Sequence, residues 1–540
     1  MNAEDIIKRM GIMETDRAPW DTVFQDCGDY AMPQNSQITT KKGKGQKSNV
    51  DLFDTTMEES NIQLAAGLYS YMFPTSDEGR AFALEVDDEE VAEIDEVKQW
   101  LEKTTKTVHK YLISSNFRQA FFEFLKQLGC YGTACLYEEK GKKVPITFIN
   151  YHIADIFIAS NSDGIIDTVF RRFEYTARQA VQEFGKENLG EKINKAYENL
   201  KTMDKKFKFI HAVFPRVEYD PSKDDPNNMK FASIYVSRDE KKIISESGYE
   251  ELPYHIDRFD KDAMEDYGRS PTMKKLPDAK MVNRMQKTRI KGWEKQVDPP
   301  VLLPDDGSIW PLATKPGGVI HYRAGGEKPE YWQFKGNLQT MEDAIASVQE
   351  SIKRGYFLDK FDPLIDRQNM TATEVMARVE QMMRFLTPII GRLQSELFNP
   401  MIERIIKILG KQRKLGDMPP ELAEKEVSIM YLGRIALSLR TLETEGFTKT
   451  LTEWGPLIEI LDFMDNLDTD LAFRDSSRNN GMPATWLKDI EMVQQERQAR
   501  IEAQQRQEMM QQLPEIAKAA KAAGTKPEEG SLTEMATNAV

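Results

Sequence analysis

Three cysteines in 540 residues, Cys27, Cys130 and Cys135, are too few for a disulfide framework and point to synthesis in a reducing cytoplasm. The five histidines, His109, His152, His211, His255 and His321, are scattered, with no Cys or carboxylate at ligand spacing, so no zinc site is expected. No apolar run reaches the roughly eighteen residues of a membrane span, and MNAEDIIKRMGIMETD lacks the apolar core of a signal peptide. There is no G-x-S-x-G, no dinucleotide fingerprint and no kinase signature. In TTKKGKGQKSN, Lys47 and Ser48 follow Gln46 and Lys41 where a phosphate loop needs glycines, which argues against a nucleotide site. Neither catalysis nor a cofactor is expected. The cysteines at 130 and 135 read as core.

What is present is a helix-rich α+β chain, 40 % hydrophobic and 30 % charged, with a formal charge of −14. That balance excludes a surface that grips nucleic acid all over, because phosphate binding needs Lys and Arg. One zone is the opposite: from Lys274 to Lys295 eight cations stand against Asp278 and Glu294. This zone includes Lys280, Arg284, Lys287, Arg289 and Lys291. It needs an acidic neighbour, such as an adjacent subunit, or a phosphate partner.

Helical spacing is expected over 51–73, and over 91–128 with a break near Ser114. Strands are expected at 133–139, 146–158 and 168–175, with an Asp-Gly turn at 161–164, and a further antiparallel set at 207–217, 231–237 and 242–247. A helix from about Leu276, a Pro- and Gly-punctuated β module, and a second helix from Leu338 to Arg354 form an insertion with its own tip. The longest pattern is Met370 to Leu409. Thr371 and Glu374 make a capping box, and Val375, Val379, Met382, Leu386, Ile389, Leu393, Leu397, Met401, Ile405 and Leu409 make one stripe. Its i,i+4 pairs are Glu374 with Arg378, Glu380 with Arg384, and Glu403 with Lys407, and bends are expected at Pro388 and Pro400. Helical patterns resume at 451–463 and from Trp486, with an exposed helix over 494–512 and fraying beyond Pro514. Asp465, Asp468 and Asp470 form the best acidic cluster, but they lack the Gly and terminal Glu of a calcium loop and read as a helix-terminal loop.

Six ordered segments carry a resemblance: TMEESNIQLAAGLYSYMFP, YGTACLYEE, EDYGRSPTMKKLPDAKMVN, VDPPVLLPDDG, MTATEVMARV and RLQSELFNPMIERI. In this order they resemble the head-to-tail connector (portal) proteins of short-tailed, podovirus-type phages. The resemblance implies a portal fold in a ring of twelve at one capsid vertex of the virion, a channel for double-stranded DNA in packaging and ejection. It implies as partners the terminase large subunit, tail adaptor or nozzle proteins, major capsid and scaffolding proteins, and internal core proteins, with no membrane.

Carried onto this chain, the resemblance implies an N-terminal arm at 1–50, an α+β wing at 51–267, stem helices at 268–296 and 338–355, and a clip at 297–337. A tunnel loop follows at 356–370, a long wing helix at 371–410, a crown at 411–493 and a C-terminal helix and frayed tail at 494–540. Lys353, Arg354, Lys360 and Arg367 become DNA-channel candidates, mixed with Asp359, Asp362 and Asp366 so that DNA can slide. The basic stem face is Lys280, Arg284, Lys287, Arg289 and Lys291, and the clip docking candidates are Pro304, Asp305, Asp306, Trp310 and Tyr322. The alternatives are another ring-forming head-tail adaptor, which would not need the inserted unit, and a metal-dependent nucleic-acid enzyme built on Asp465, Asp468 and Asp470.

Overall fold

In the computed structural model the described residues are 2–40, 45–46, 51–73, 81–92, 94–141, 144–220, 225–302, 330–331, 338–361, 384–422, 425, 427–431, 449, 452, 468–479, 482, 486–488 and 492–507. They fall into two compact units, residues 1–79 with 108–412 and residues 80–107 with 413–540.

The first unit begins with α1 (Ala3–Ala31), opened by a capping box between Asn2 and Asp5. No helix is expected over these residues, which count only as part of the N-terminal arm, and the buried stripe Ala3, Ile6, Met10, Phe24, Ala31 has Arg17 within it. Yet Arg17 is only 1 % exposed. Its guanidinium lies 3.7 Å over the Phe157 ring and donates to the carbonyls of Ile153 (2.8 Å), Ile156 (2.6 Å) and Ala154 (3.0 Å). Ile153 and Ala154 belong to a 3-10 turn, Ile153–Asp155, and Ile156 follows it directly; His152 caps the turn by accepting from the Ala154 N–H at 3.1 Å. The turn explains a difference from sequence: 146–158 is not one strand. It is β3 (Ile146–Tyr151) and β4 (Ile156–Ser160), which lie in different sheets.

The larger sheet runs β4, β5 (Ile166–Thr176), β6 (Lys206–Pro215), β7 (Phe231–Ser237), β8 (Lys242–Tyr249), all antiparallel. The Asp-Gly turn stands as expected, with Gly164 at φ +75 and the Asn161 Oδ1 accepting from the Asp163 and Ile165 N–H groups. Alternation along the strands feeds two cores. Phe157, Phe170, Ile210, Ala212, Ile234 and Val236 pack with Ala3, Ile6 and Met10 of α1. Phe173, Phe207, Phe209 and Ile244 pack with Ala177, Ala180, Ile193 and Ala196, from the short helices α6 (Ala177–Phe184) and α7 (Glu191–Glu198).

The smaller sheet is β3, β2 (Thr133–Lys140), β9 (Tyr254–Arg258). It follows α2 (Thr56–Met72) and α5 (Phe117–Tyr131). The break expected near Ser114 falls between the end of α4 (Asp95–Ser114) and α5. The predicted long rod is described from residue 384. It is helical over 384–392, π-helical over Leu393–Phe398, then α11 (Asn399–Lys411). Leu386, Ile389, Leu393, Leu397, Met401, Ile405 and Leu409 are all buried, as the stripe requires. The π-helical run ends just before Pro400, with the Asn399 N–H bonded five residues back to Gln394. Phe398 joins a ring cluster with Phe121 (5.3 Å) and Phe73 (5.7 Å), which fixes this helix against α2 and α5. Lys407, expected to pair with Glu403, reaches Glu251 at 2.6 Å. Residues 370–383, with the capping box, the Glu374–Arg378 pair and Glu380, lie outside the described residues, as does all but residue 452 of the helical pattern at 451–463.

In the second unit β1 (Phe82–Val86) pairs antiparallel with β12 (Val427–Tyr431), and the short α3 (Glu89–Ala92) starts under Asp88, which also pairs with Lys425 at 2.6 Å. α12 (Thr469–Asn479) is capped by Asp468, whose Oδ1 accepts from the Asp470 and Leu471 N–H groups. No described helix is long and apolar enough to cross a membrane.

Candidate functional site: the paired basic and acidic helices

The inserted unit opens on α8 (Pro271–Val297), five residues earlier than Leu276, because Ser270 caps it and Pro271 takes the first position. The Ser270 hydroxyl accepts from the Met273 N–H at 3.0 Å and donates to the Cys130 carbonyl at 2.8 Å. Thr272 donates to the Gly129 carbonyl at 2.8 Å. The fully buried Tyr356 therefore donates its hydroxyl to Thr272, and burial pushes that phenol well above its ordinary pKa. The root of α8 is thus fixed to the end of α5, and the chain leaving α9 (Leu338–Gly355) is fixed at the same point.

α9 returns antiparallel to α8. Ser351 donates to Asp278 at 3.0 Å and accepts from Lys275 at 2.9 Å, and any side chain on Gly355 would strike Lys275. Further along, the 9 % exposed Asp54 accepts from Gln286 of α8 (3.3 Å) and Gln349 of α9 (2.6 Å) through one carboxylate oxygen. Asn283 holds the same segment, accepting from the Phe53 N–H at 2.6 Å and donating to the Asp51 carbonyl at 3.0 Å. None of these polar ties was singled out from sequence. A capping-type Asp before a helix resembles many others, and only the fold brings Gln286 and Gln349 to it.

The predicted basic face is spread along α8 in distinct settings. Lys280 pairs with Asp26 of α1 at 2.6 Å. Lys287 sits 5.2 Å over the Phe53 ring, and Arg289 lies 4.5 Å over Trp293. Arg284 and Lys291 are exposed. Of the channel candidates, Lys353 and Arg354 are exposed at the end of α9, with Arg354 3.4 Å from Glu350. The chain then reverses at Phe357, at φ +59, into α10 (Leu358–Phe361), which carries Lys360. The structure therefore brings Lys353, Arg354 and Lys360 to one helix end and turn. Arg367 lies outside the described residues, and so do Pro304, Asp305, Asp306, Trp310 and Tyr322. The β module between the helices is described only at its base, where β10 (Val301–Leu302) pairs with β11 (Glu330–Tyr331).

Elsewhere several described titratable groups have structural partners. His211 bonds to the Tyr254 hydroxyl (2.6 Å) and Ser233 (3.0 Å) and stacks on Tyr235, and burial lowers its pKa to about 3. His152 is lowered to about 4, again chiefly by burial. His255 meets Glu138 at 2.9 Å. Cys27, Cys130 and Cys135 are buried, unbridged thiols, and burial pushes that of Cys27 up to about 12. Asp470 is held by Arg497 at 2.5 and 2.7 Å and Asp468 serves as a cap, so these two members of the acidic cluster have protein partners, while Asp465 lies outside the described residues.

Residues 3–487 match the family described as bacteriophage head to tail connecting protein, and the chain belongs to that family. It is similar to the portal protein of Salmonella phage epsilon15, 26 % identical over 94 % of this chain and 92 % of that one. It is likewise 26 % identical to the probable portal protein of Bordetella phage BPP-1, over 86 % and 85 % of the two chains. The portal protein of Escherichia phage T7 is 23 % identical over 83 % and 82 %.

Proposed function

We propose that this chain is the portal of a short-tailed phage: a ring, of twelve copies in this reading, at one vertex of the capsid. DNA passes through its centre during terminase-driven packaging and leaves by the same route at ejection. The observation that carries this is the family match over 3–487, which spans the inserted α8–β–α9 unit. In this reading α8 and α9 are the stem, the residues between them are the clip on which terminase and then tail proteins dock, and the turn after α9 begins the tunnel loop. Capsid, scaffolding and internal core proteins would meet the wing and crown. The role is structural rather than catalytic, and the nuclease alternative is weakened by the protein partners that Asp468 and Asp470 already have.

A ring requires a heterologous interface, one patch on each copy meeting a different patch on the next. Electron microscopy of the purified full-length protein tests this directly. Rings with a central hole near the width of a DNA duplex are expected; uniformly monomeric particles, after expression with and without scaffold, would overturn the reading.

A further inference from the structure

The two stem helices segregate charge more than their own packing requires. From Lys280 to Lys291, α8 has five cations and no acid; from Gln339 to Ile352, α9 has Glu342, Asp343 and Glu350 and no cation. The contact within one copy does not use this complementarity. The buried side chains are Ala279, Val282 and Gln286 on α8 and Ile345 and Ile352 on α9, whereas Arg284, Lys291, Asp343 and Glu350 are exposed. Glu350 pairs with the exposed Arg354 of its own helix at 3.4 Å. Beside its cations α8 also leaves Met281, Ile290 and Trp293 37–46 % exposed. The exposed face of α9 presents the small residues Ala344, Ala346 and Ser347, over which another helix can pass closely.

From this we infer that the acidic face of α9 in one copy docks on the basic face of α8 in the next copy. The inference rests on the ring reading, and ring symmetry supplies the register. Rotation about the ring axis leaves height unchanged, so residues level with each other within one copy are level across the interface. Asp278 opposite Ser351, and Gln286 and Gln349 on the shared Asp54, set that level. At about 1.5 Å per residue, Asp343 then lies within about one helical turn of Lys291, and Glu350 within about one turn of Arg284. The cations of α8 serve neighbouring carboxylates, and the stem contributes little phosphate contact to the channel.

A charge swap in the full-length protein tests it, read as the fraction of chains in rings by sedimentation and electron microscopy. Arg284→Glu with Lys291→Glu, and separately Asp343→Lys with Glu350→Lys, should each reduce ring assembly at least tenfold at fixed concentration. All four changes together should bring assembly back to within a few-fold of wild type, and raised salt should weaken the wild-type ring. Circular dichroism melting confirms that the variants fold; if a reversal does not, the neutral pairs Arg284→Gln with Lys291→Gln and Asp343→Asn with Glu350→Gln should show the same loss to a smaller degree. Wild-type rings with both altered proteins assembling normally would overturn the inference alone, as would a fourfold variant no better than either double one. Normal rings with lost DNA packaging in the α8 variant would assign those cations to phosphate instead. Absence of wild-type rings would remove the ring reading itself.

Discussion

Gly132 and Gly268 each occupy the space that a side chain on the other would need. A Cβ on Gly132 would run into the Gly268 carbonyl, and a Cβ on Gly268 into the Gly132 carbonyl. Between them the Gly268 N–H bonds to Thr133 at 2.8 Å, and the Gly132 carbonyl accepts from Phe259 at 2.9 Å. These glycines come from YGTACLYEE and EDYGRSP, two of the segments by which the sequence resembles its family, and their meeting places the root of α8 on the end of α5. Gly132 also closes α5 at φ +74. Gly132→Ala should therefore cost more than the roughly 1–2 kcal/mol of a left-handed residue alone, seen as a lowered thermal midpoint. Gly11→Ala is the control. A Cβ there meets nothing within 4 Å, so the change should stabilise α1 by up to about 1 kcal/mol.

Asp257 is predicted to make stability fall as pH rises. Both its carboxylate oxygens are buried without a hydrogen-bond partner, and its pKa stands well above 3.8, chiefly through burial and then through Glu396, against the opposing pull of Arg392 and Arg258. A raised folded pKa means that the native state keeps a proton the unfolded chain releases. This group's contribution is full below about 3.8 and is lost as pH climbs toward the folded value. Asp257→Asn should flatten that decline, measured as thermal midpoint against pH from 4 to 8; an unchanged slope would contradict it. The buried His152 and His211 act in the opposite direction. Their folded pKa values, about 4 and about 3, lie below the ordinary 6.5, so stability falls as pH drops below 6.5.

The same residues show what could and could not be read from sequence. β7 was legible to the residue, because FASIYVS is β-branched and aromatic and its neighbours alternate between two cores. β9 was not, because YHIDR looks like a loop. All five residues are nevertheless buried, with Arg258 clasping Glu396 at 2.7 and 3.1 Å and His255 on Glu138. A polar segment becomes a core strand only when its partners arrive from elsewhere in the chain, and those partners are 117–138 residues away. α1 shows the same dependence at one position, Arg17, whose partners Ile153, Ala154 and Ile156 are 136–139 residues away. The basic face of α8 was legible as composition, but its division into Lys280 on Asp26, Lys287 on Phe53 and the exposed Arg284 and Lys291 was not.

Asp54 makes the pairing of α8 with α9 sensitive to one carboxylate. Replacing it by Ala strands the Gln286 and Gln349 amides in a buried setting, at a cost of about 1–3 kcal/mol. Hydrogen exchange over 277–297 and 338–352 should quicken together in Asp54→Ala, while β5 to β7 keep their protection. Faster exchange confined to α2 would show that the network does not tie the two helices.

Lys353 and Arg354 provide the prediction closest to function. They sit exposed at the end of α9, where helix polarity favours cations, immediately before the buried anchor Tyr356 and the reversal at Phe357. Tyr356 and Thr272 hold the backbone there, so shortening the two cations should leave the helix end in place. Removing them changes the charge presented to whatever passes and releases the exposed Arg354–Glu350 pair. If that is DNA, Lys353→Ala with Arg354→Ala should lower packaged DNA several-fold while ring yield and thermal midpoint stay at wild-type values, because phosphate contacts are lost. The defect should shrink at higher salt, where screening already weakens those contacts in the wild type. Unchanged packaging with normal rings would take these two residues out of the channel and leave the DNA-facing role to others.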